Sequence, residues 1–331
     1  MNEWEKYGSI LFHYDLYPTQ MIHLGKIKQI YAGSRCYALK ETVMEDRQLE
    51  RFLHLLRKLE KKGYRQHVPL IPTKYGEYVV RTESHVYYLM PWIENEPLTK
   101  EAAIEEKISG EMGKIHRLTA KTVPFSNEER DKAYLSMLKK WDMRRTIFEQ
   151  FADEREQNKY MSPLELTFFT NYYDLKMFMN EAKSHLDAWY EKSKDLETFR
   201  IVLCHGRLSR KHVLIGRHSE SYILNFERAS YDTPARDAAL FFRYAFYYDL
   251  WDEKAFAKWL KAYESHFQLT EEERHLLLAY LLFPEFVIDV VERYKNNPKQ
   301  FTELEYVQRF ERRMMVMRKV RRLKNLLLKP L

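Results

Sequence analysis

The sequence has little glycine, little cysteine and no long apolar run. Only nine of its 331 residues are glycine, so few positions suit backbone conformations that exclude a side chain. The two cysteines, Cys36 and Cys204, lie far apart and have no metal-site spacing, which excludes a disulfide framework and predicts free, buried thiols in a reducing cytosol. No apolar run could cross a bilayer, and the opening MNEWEKYGSI lacks the features of a secretory signal.

Positive charge is present mainly at the C-terminal end. The chain has a formal net charge of +7, and the segment 306–331 alone contributes nine cations against one acid, Glu311. The cations are Arg309, Arg312, Arg313, Arg318, Lys319, Arg321, Arg322, Lys324 and Lys329. The other 305 residues together are close to neutral. A high isoelectric point therefore does not indicate a nucleic-acid-binding body in this chain.

Short strands around one helix are predicted before residue 94. In the segment 35–42, RCYALKET, alternation is typical of a half-buried strand. Residues 45–62 form a predicted helix that ends at Gly63, in the position of a C-cap. Three further short strands are expected within 68–93. Their turns are expected at Tyr75-Gly76 and Glu83-Ser84.

Almost everything after residue 98 has helical periodicity. Helix starts are marked at Thr99, Ser126, Ser162 and Thr270. At the last three, glutamate follows three residues later, as in a capping box. The only strand-like break is 200–227. This order predicts an α+β chain with a small mixed lobe at 1–93, a connector or hinge at 94–98, and a larger helical lobe at 99–331. A cleft is expected beneath the connector.

Residues 203–227, LCHGRLSRKHVLIGRHSESYILNFE, combine a strand end, a tight turn at Gly206 and a hairpin about Gly216. Three dipeptides complete the pattern: His205-Gly206, Phe226-Glu227 and Arg236-Asp237. The pattern resembles the aminoglycoside phosphotransferase and choline-kinase branch of the protein-kinase-like superfamily. There the loop reads H-G-D-x-x-x-x-N-x-L, followed by I-D-F-D/E and an R-D-L-A-like helix start. The resemblance implies a bilobal kinase-like fold.

The resemblance extends to the nucleotide side of that fold. Lys40, in YALK, falls where the family keeps the lysine of its third strand, and Met90 and Trp92 fall at the hinge. By this resemblance Lys40 is the candidate for a remaining nucleotide contact, paired with Glu45 or Glu50. Spacing does not choose between the two glutamates, and an ordinary ion pair on a half-exposed strand is an equally good interpretation of the lysine.

The departures from the family pattern fall on the chemistry. Arg207 stands where the family has its catalytic aspartate, His212 where it has the Mg²⁺-binding asparagine, and Asn225 where it has the metal-binding aspartate. Arginine cannot accept a proton, and its fixed charge repels Mg²⁺. Neutral histidine is a poor ligand for a hard cation, and asparagine brings no charge. The sequence therefore predicts no catalytic group and no metal site.

The sequence keeps the family's loop pattern but lacks its catalytic and metal-binding residues. In this it is similar to the CotS-like spore coat proteins, and among these the YsxE type is favoured. The segments that carry this likeness are GKIKQIYAGSRCYALK, VYYLMPWIENE and CHGRLSRKHVL. The resemblance implies synthesis in the mother-cell cytoplasm, location in the spore coat and binding to other coat proteins. It implies a pseudokinase acting as a structural or interaction component, with no nucleic acid and no transmembrane segment.

Two other functions remain open at this point. One is an atypical ATP-dependent small-molecule phosphotransferase that uses displaced carboxylates such as Glu227 or Asp232. The other is a scaffold that binds nucleotide without turnover. No cofactor is expected, and any ATP binding is expected to be independent of Mg²⁺.

Four further residues near the loop or in the helical part favour structural roles. Asp237 is expected to order the loop through main-chain hydrogen bonds. His205 is expected to hold the loop in place, His116 to pack in the core, and Cys204 to be a buried thiol without a base beside it.

The C-terminal segment 306–331 is predicted to be a basic amphipathic helix. Its apolar positions are Phe310, Met314, Met317, Val320, Leu323 and Leu327. The first half is expected to pack as core. The basic tail, 318–331, and above all RRLKNLLLKPL at 321–331, is the candidate for a partner or membrane contact.

Overall fold

The computed structural model describes residues 3–96, 102–217, 220–248 and 252–329. Its elements, in chain order, are α1 (Glu3–Phe12), β1 (Gln20–Leu24), β2 (Ile27–Ala32), β3 (Arg35–Thr42), α2 (Asp46–Lys61), β4 (Val80–Arg81), β5 (Val86–Pro91), α3 (Ala102–Thr119), β6 (Lys121–Pro124), α4 (Asn127–Glu156), α5 (Pro163–Thr170), α6 (Tyr172–Lys192), β7 (Thr198–Cys204), β8 (Val213–Ile215), β9 (Ser221–Ile223), β10 (Ser230–Asp232), α7 (Pro234–Tyr248), α8 (Glu253–Glu264), α9 (Glu271–Leu282), α10 (Glu285–Asn296) and α11 (Glu303–Leu328). The α+β class predicted from the sequence is confirmed.

The chain divides into two compact units. The N-unit comprises 1–111 together with 210–229, and the C-unit comprises 112–209 together with 230–331. These boundaries differ from the sequence-based division at the connector 94–98. The last two residues of that connector, and the helix-start signal at Thr99, lie outside the described residues.

The N-unit contains a five-stranded antiparallel sheet in the order β1-β2-β3-β5-β4. The strand predicted at 35–42 and the helix predicted at 45–62 are confirmed, and Gly63 follows the helix with a φ of 81°. The first of the three strands expected within 68–93 is wrong, because only an isolated bridge joins Ile71 to Leu89 there. Prolines at 69 and 72 flank Ile71 and have no N–H group to donate to a ladder.

Helices cover both faces of this sheet. Tyr7 and Leu11 of α1 belong to one buried cluster with Leu39 and Leu89, which are partners in the β3–β5 ladder. On the opposite face, Phe52 of α2 packs its ring 5.6 Å from that of Tyr88. Because side chains alternate along a strand, β3 directs Leu39 and Glu41 towards α1, and Ala38 and Lys40 towards the other side.

Glu41 is a polar centre on the α1 face of the sheet. Its carboxylate accepts hydrogen bonds from Lys6 (2.8 Å), Lys28 (2.8 Å), Tyr7 (3.0 Å) and Tyr87 (3.0 Å). Burial by itself would raise the pKa of Glu41, but these four donors outweigh it and hold that pKa well below its usual value. The carboxylate therefore joins α1 to three strands of the sheet.

We expect Glu41→Gln to lower the free energy of unfolding by about 3 kcal/mol at neutral pH, since the buried ammonium of Lys28 loses its counter-charge. Because the pKa of Glu41 is lowered on folding, its contribution is present above the ordinary carboxyl pKa and is lost as the pH falls below it. Urea unfolding of the variant and of Glu83→Gln, an exposed acid in a turn, measures both effects. Equal stability of the two variants would contradict this role.

The C-unit contains a three-stranded sheet, β10-β7-β6, and most of the helices. The prediction of a single strand-like break at 200–227 is wrong, because β6 and β10 lie outside that range and pair with the two edges of β7. Each has only three or four residues, too few for periodicity to identify from the sequence.

The predicted capping boxes at Ser126, Ser162 and Thr270 are all confirmed. A fourth, from Thr302 to Glu305, begins α11 and was not predicted. In each box the hydroxyl accepts the N–H of the glutamate, and the glutamate accepts the N–H of the cap residue.

The C-terminal helix α11 packs within the C-unit along its whole length. It contacts α5, α7, α9 and α10. In its last turns Leu323 and Leu327 are only 1% and 0% exposed, so these two leucines are not available to a partner. A partner or membrane contact through the basic tail stays a prediction. Arg274 donates to the main-chain carbonyl of Leu327 (3.0 Å) and pairs with Glu264, so α9 holds the end of α11. Among the described residues, no helix is both long and apolar enough to span a membrane.

Two histidines meet between α6 and α9. Nδ1 of His185 lies 3.0 Å from Nδ1 of His275, so one ring donates to the other. Burial, His275 and Lys324 lower the pKa of His185 to about 4, and burial and Lys192 lower that of His275. Both rings are therefore neutral in the folded protein at neutral pH.

We expect the free energy of unfolding to decline as the pH falls from about 6.5 towards 4, because the unfolded chain binds a proton at His185 before the folded chain does. His185→Gln should flatten this part of the curve, whereas His54→Gln, at an exposed position on α2, should not. Urea unfolding between pH 7 and pH 4 provides the measurement. Parallel curves for the wild type and His185→Gln would refute the assignment.

Candidate functional site

A buried carboxylate fixes the turn that follows β7. Asp237, in the first turn of α7, accepts the main-chain N–H groups of His205 (2.9 Å) and Gly206 (2.8 Å). His116 of α3 contacts the same carboxylate through Nε2 (3.2 Å) and the hydroxyl of Tyr263 through Nδ1 (2.8 Å). Burial would raise the pKa of Asp237, but His116, His205 and the Gly206 N–H outweigh it, so that pKa is lowered. The structural role predicted for Asp237 is confirmed.

The neighbouring thiol has no nucleophilic character. Cys204 is buried at the end of β7, donates to the main-chain carbonyl of Thr233 (3.4 Å), and has a pKa raised well above its usual value by burial and by Asp237. Its sulfur lies within 4.8 Å of ligand atoms of His116 and Asp237. Those two groups already bind each other and the loop, so the cluster has a structural explanation. Arg207, two residues after His205, is exposed.

The rest of the loop belongs to the N-unit. After a 3₁₀ turn at Arg210–His212, strands β8 and β9 form the hairpin predicted about Gly216. The main-chain N–H of Leu224 donates to the carbonyl of His212 (2.8 Å), which closes the base of the hairpin. Asn225 then adopts a left-handed conformation, with φ 66° and ψ 49°, and a second 3₁₀ turn follows. Asparagine is one of the few residues with a side chain that tolerate this conformation.

The connector also contacts the hairpin. The side chain of Asn95 accepts the N–H of Ile215 (2.9 Å), and the N–H of Glu96 donates to the carbonyl of Ile215 (2.9 Å). Met90 is buried on β5, while the N–H of Trp92 bonds to the carbonyl of Cys36 (3.1 Å). Assignment of the hinge pair to nucleotide contact stays a prediction. Cys36 itself is half-buried, not buried as expected.

Lys40 binds the residues that follow the hairpin. Its ammonium donates to the side-chain Oδ1 of Asn225 and to the carboxylate of Glu227, and it is largely shielded from solvent. Tyr88, the partner of Lys40 in the β3–β5 ladder, donates its hydroxyl to the same carboxylate (2.6 Å). Gln48 of α2 donates to the main-chain carbonyl of Glu227 (3.1 Å). The lysine is therefore the centre of a closed polar cluster made from β3, β5 and the loop.

The partner of Lys40 is not one of the two expected glutamates. Glu45 and Glu50 are exposed, and the helix contributes Gln48 instead. Burial alone would raise the pKa of Glu227, but Lys40 and Tyr88 outweigh it and the pKa is lowered. The pKa of Tyr88 is raised well above its usual value by burial and by Glu227. At neutral pH the carboxylate of Glu227 is therefore ionised and the phenol of Tyr88 is neutral.

The residues at the three departure positions do not match a Mg²⁺ site. Arg207 brings a positive charge, His212 a soft nitrogen donor and Asn225 a neutral oxygen that already accepts from Lys40. Glu227 supplies the one carboxylate of the cluster, and the lysine neutralises it. We therefore derive no phosphotransfer step through a metal.

We expect Glu227→Gln to lower the free energy of unfolding by about 3 kcal/mol, because it leaves a buried ammonium without its counter-charge. Tyr88→Phe should cost about 1 kcal/mol, the usual value of one hydrogen bond. The double variant Lys40→Met/Glu227→Leu should cost less than the sum of its single changes. Urea unfolding, with hydrogen exchange of residues 35–42, provides the values. Additive single changes would show that the pair is not coupled.

Several solved structures of phosphotransferases have a similar fold. An aminoglycoside phosphotransferase from Alicyclobacillus acidocaldarius matches with a TM-score of 0.76 at 15% identity, covering 96% of each chain. The AMP-bound spectinomycin phosphotransferase matches with a TM-score of 0.61 at 14% identity, over 94% of this chain and 97% of the other. Choline kinase from Streptococcus pneumoniae matches with a TM-score of 0.51 at 17% identity, over 96% and 97%. These likenesses confirm the kinase-like fold.

A family model assigns the chain more narrowly. The model described as "Spore coat putative kinase YutH" matches residues 8–325. The sequence resemblance had favoured the YsxE type, and the match places the chain in the YutH family of the same kinase-like coat proteins. Because this match extends over nearly the whole sequence and the fold agrees with it, the chain belongs to the family of spore coat kinase-like proteins described by the name YutH.

Proposed function

We propose that this protein is a pseudokinase of the spore coat, a structural or interaction component that transfers no phosphate. The single observation that carries the proposal is the closed cluster of Lys40, Glu227, Asn225 and Tyr88. The family supplies the coat association, and synthesis in the mother-cell cytoplasm and binding to other coat proteins belong to the proposal.

The cluster argues against nucleotide binding through its electrostatics. In protein kinases the strand lysine contacts the phosphates while it pairs with a helix glutamate. Lys40 instead donates to two groups of the loop, the carboxylate of Glu227 and the side-chain oxygen of Asn225. For a nucleotide to bind Lys40, its phosphates would have to replace Glu227 as the partner of the lysine in a mostly buried ion pair. The carboxylate of Glu227 would then lie next to the phosphates of the nucleotide. Two like unit charges about 4 Å apart at an effective dielectric of about 20 repel by roughly 4 kcal/mol. Mg²⁺ would have to relieve this repulsion, and Arg207 and His212 supply no anionic ligand for it.

A specific observation supports one alternative. Glu227 and Asn225 present two oxygen atoms to the same ammonium, and oxygen atoms are the ligands that Mg²⁺ prefers. An atypical phosphotransferase could exchange Lys40 for a metal at this point. A scaffold that binds nucleotide without turnover would use Lys40 directly and would need no metal.

A nucleotide test separates these functions. We expect purified protein to show no Mg²⁺-dependent ATP turnover above background and no thermal shift with ATP, with or without Mg²⁺. Turnover that depends on Mg²⁺ and is abolished in Lys40→Ala, but not in the surface variant Lys26→Ala, would overturn the proposal. A metal-independent thermal shift that is lost only in Lys40→Ala would identify the nucleotide-binding scaffold.

Complementation in sporulating cells tests the structural role itself. The double variant Lys40→Met/Glu227→Leu removes every charge of the cluster while keeping apolar volume. We expect a fluorescent fusion of this variant to reach the coat like the wild type, and a pull-down to recover the same coat proteins. Loss of coat localisation by a variant that is folded in vitro would show that the charges of the cluster are needed for function.

A further inference from the structure

A cavity of about 450 Å³ lies within the C-unit, between α4, α7 and the junction of α9 with α10. This volume is in the range of small-molecule sites in proteins. Small side chains leave the space open, because Ala133 of α4 and Ala239 of α7 both line it. The Lys40 cluster belongs to the other unit and contributes nothing to this lining.

One wall of the cavity is aromatic. The rings of Trp141 and Phe283 stack with centroids 4.5 Å apart and planes only 2° from parallel. Both side chains are buried, so packing fixes their orientation. Met137 and Leu240 extend the apolar lining. An apolar ligand would lie against the part of this stacked pair that lines the cavity.

The charged residues of the lining are mostly neutralised in pairs. Arg236 pairs with Asp232 four residues earlier, and Lys140 lies 2.9 Å from Glu285. Each of these pairs is partly exposed and satisfies its own charges. Neither pair therefore has an uncompensated charge that would attract a charged ligand.

Arg243 differs from these pairs. Its guanidinium donates to the main-chain carbonyl of Tyr280 and lies 5.1 Å from the ring centre of Phe286. Its Nε is shut off from solvent and has no acceptor among the described residues. Within the same part of the chain no carboxylate forms an ion pair with it, and burial lowers its pKa although Glu285 and Asp289 act against this. The side chain of Arg243 is half-buried, and among the described cations of the lining it is the one without a carboxylate partner, since Arg236 and Lys140 both have one.

We propose that this cavity binds a small carboxylic acid with a planar apolar body. The carboxylate pairs with the guanidinium of Arg243, and the body lies against the Trp141–Phe283 wall. A guanidinium fits a carboxylate through two parallel N–H groups, which explains why arginine suits this position. The lining has three cationic and two acidic side chains, a net charge of +1. This charge favours binding of a monoanion over binding of an amine of the same shape.

Benzoate, 2-naphthoate, benzylamine and benzyl alcohol serve as probes, measured by saturation-transfer NMR and calorimetry on the full chain. We expect both acids to bind, naphthoate more tightly, and the amine and the alcohol not to bind. Arg243→Gln should weaken binding of the acids about tenfold or more, and Arg243→Lys should restore part of it. Failure of both acids to bind at millimolar concentration would overturn the proposal.

Two further variants make the result specific. Arg145→Gln removes an arginine from α4 at a position outside the cavity lining and should leave binding unchanged. Ala133→Trp fills the cavity from an exposed position on α4 and should abolish binding while the thermal unfolding temperature stays near that of the wild type. Binding that survives both Ala133→Trp and Arg243→Gln would place the acids elsewhere and refute the site. Because Lys40, the residue changed in the nucleotide test, does not line this cavity, the two tests are independent.

Discussion

The buried carboxylate of Asp237 determines the path of the chain after β7. It accepts two successive main-chain N–H groups and one imidazole, so the turn depends on groups that are present whatever the neighbouring side chains are. These hydrogen bonds do not involve the exposed side chain of Arg207, so the turn does not depend on the residue type at that position. The path of a loop and the chemistry of its side chains are separable in this way.

Most of the fold could be predicted from local patterns. Helix α2 and three capping boxes were predicted from short segments of the sequence, and the structure confirms them. Strands β6 and β10 could not be predicted, because each exists only through pairing with β7. The same holds for the end of α11. Periodicity predicts that Leu327 lies on the apolar face of the helix, but its contact with Arg274 of α9 could not be predicted from the sequence.

The site could be predicted only in part. The resemblance identified Lys40 and the replaced positions, but the partner of the lysine is 187 residues away in sequence, and no spacing rule reaches that far. Two signals were nonetheless present. Tyr88 stands opposite Lys40 in the ladder, and Asn225 occurs where a left-handed residue begins the second turn. Neither signal alone says that these groups close around the lysine.

The neighbouring charges of β3 have a consequence for the alignment of the sheet. Lys40 and Glu41 point to opposite faces, where each meets charges of the opposite sign. If β3 slipped by one residue during folding, the lysine would face Lys6 and Lys28 while the glutamate would face Glu227. Both encounters bury like charges, so misalignment is penalised twice. The opposite charges of Lys40 and Glu41 therefore favour the observed pairing of the central strand over a pairing shifted by one residue.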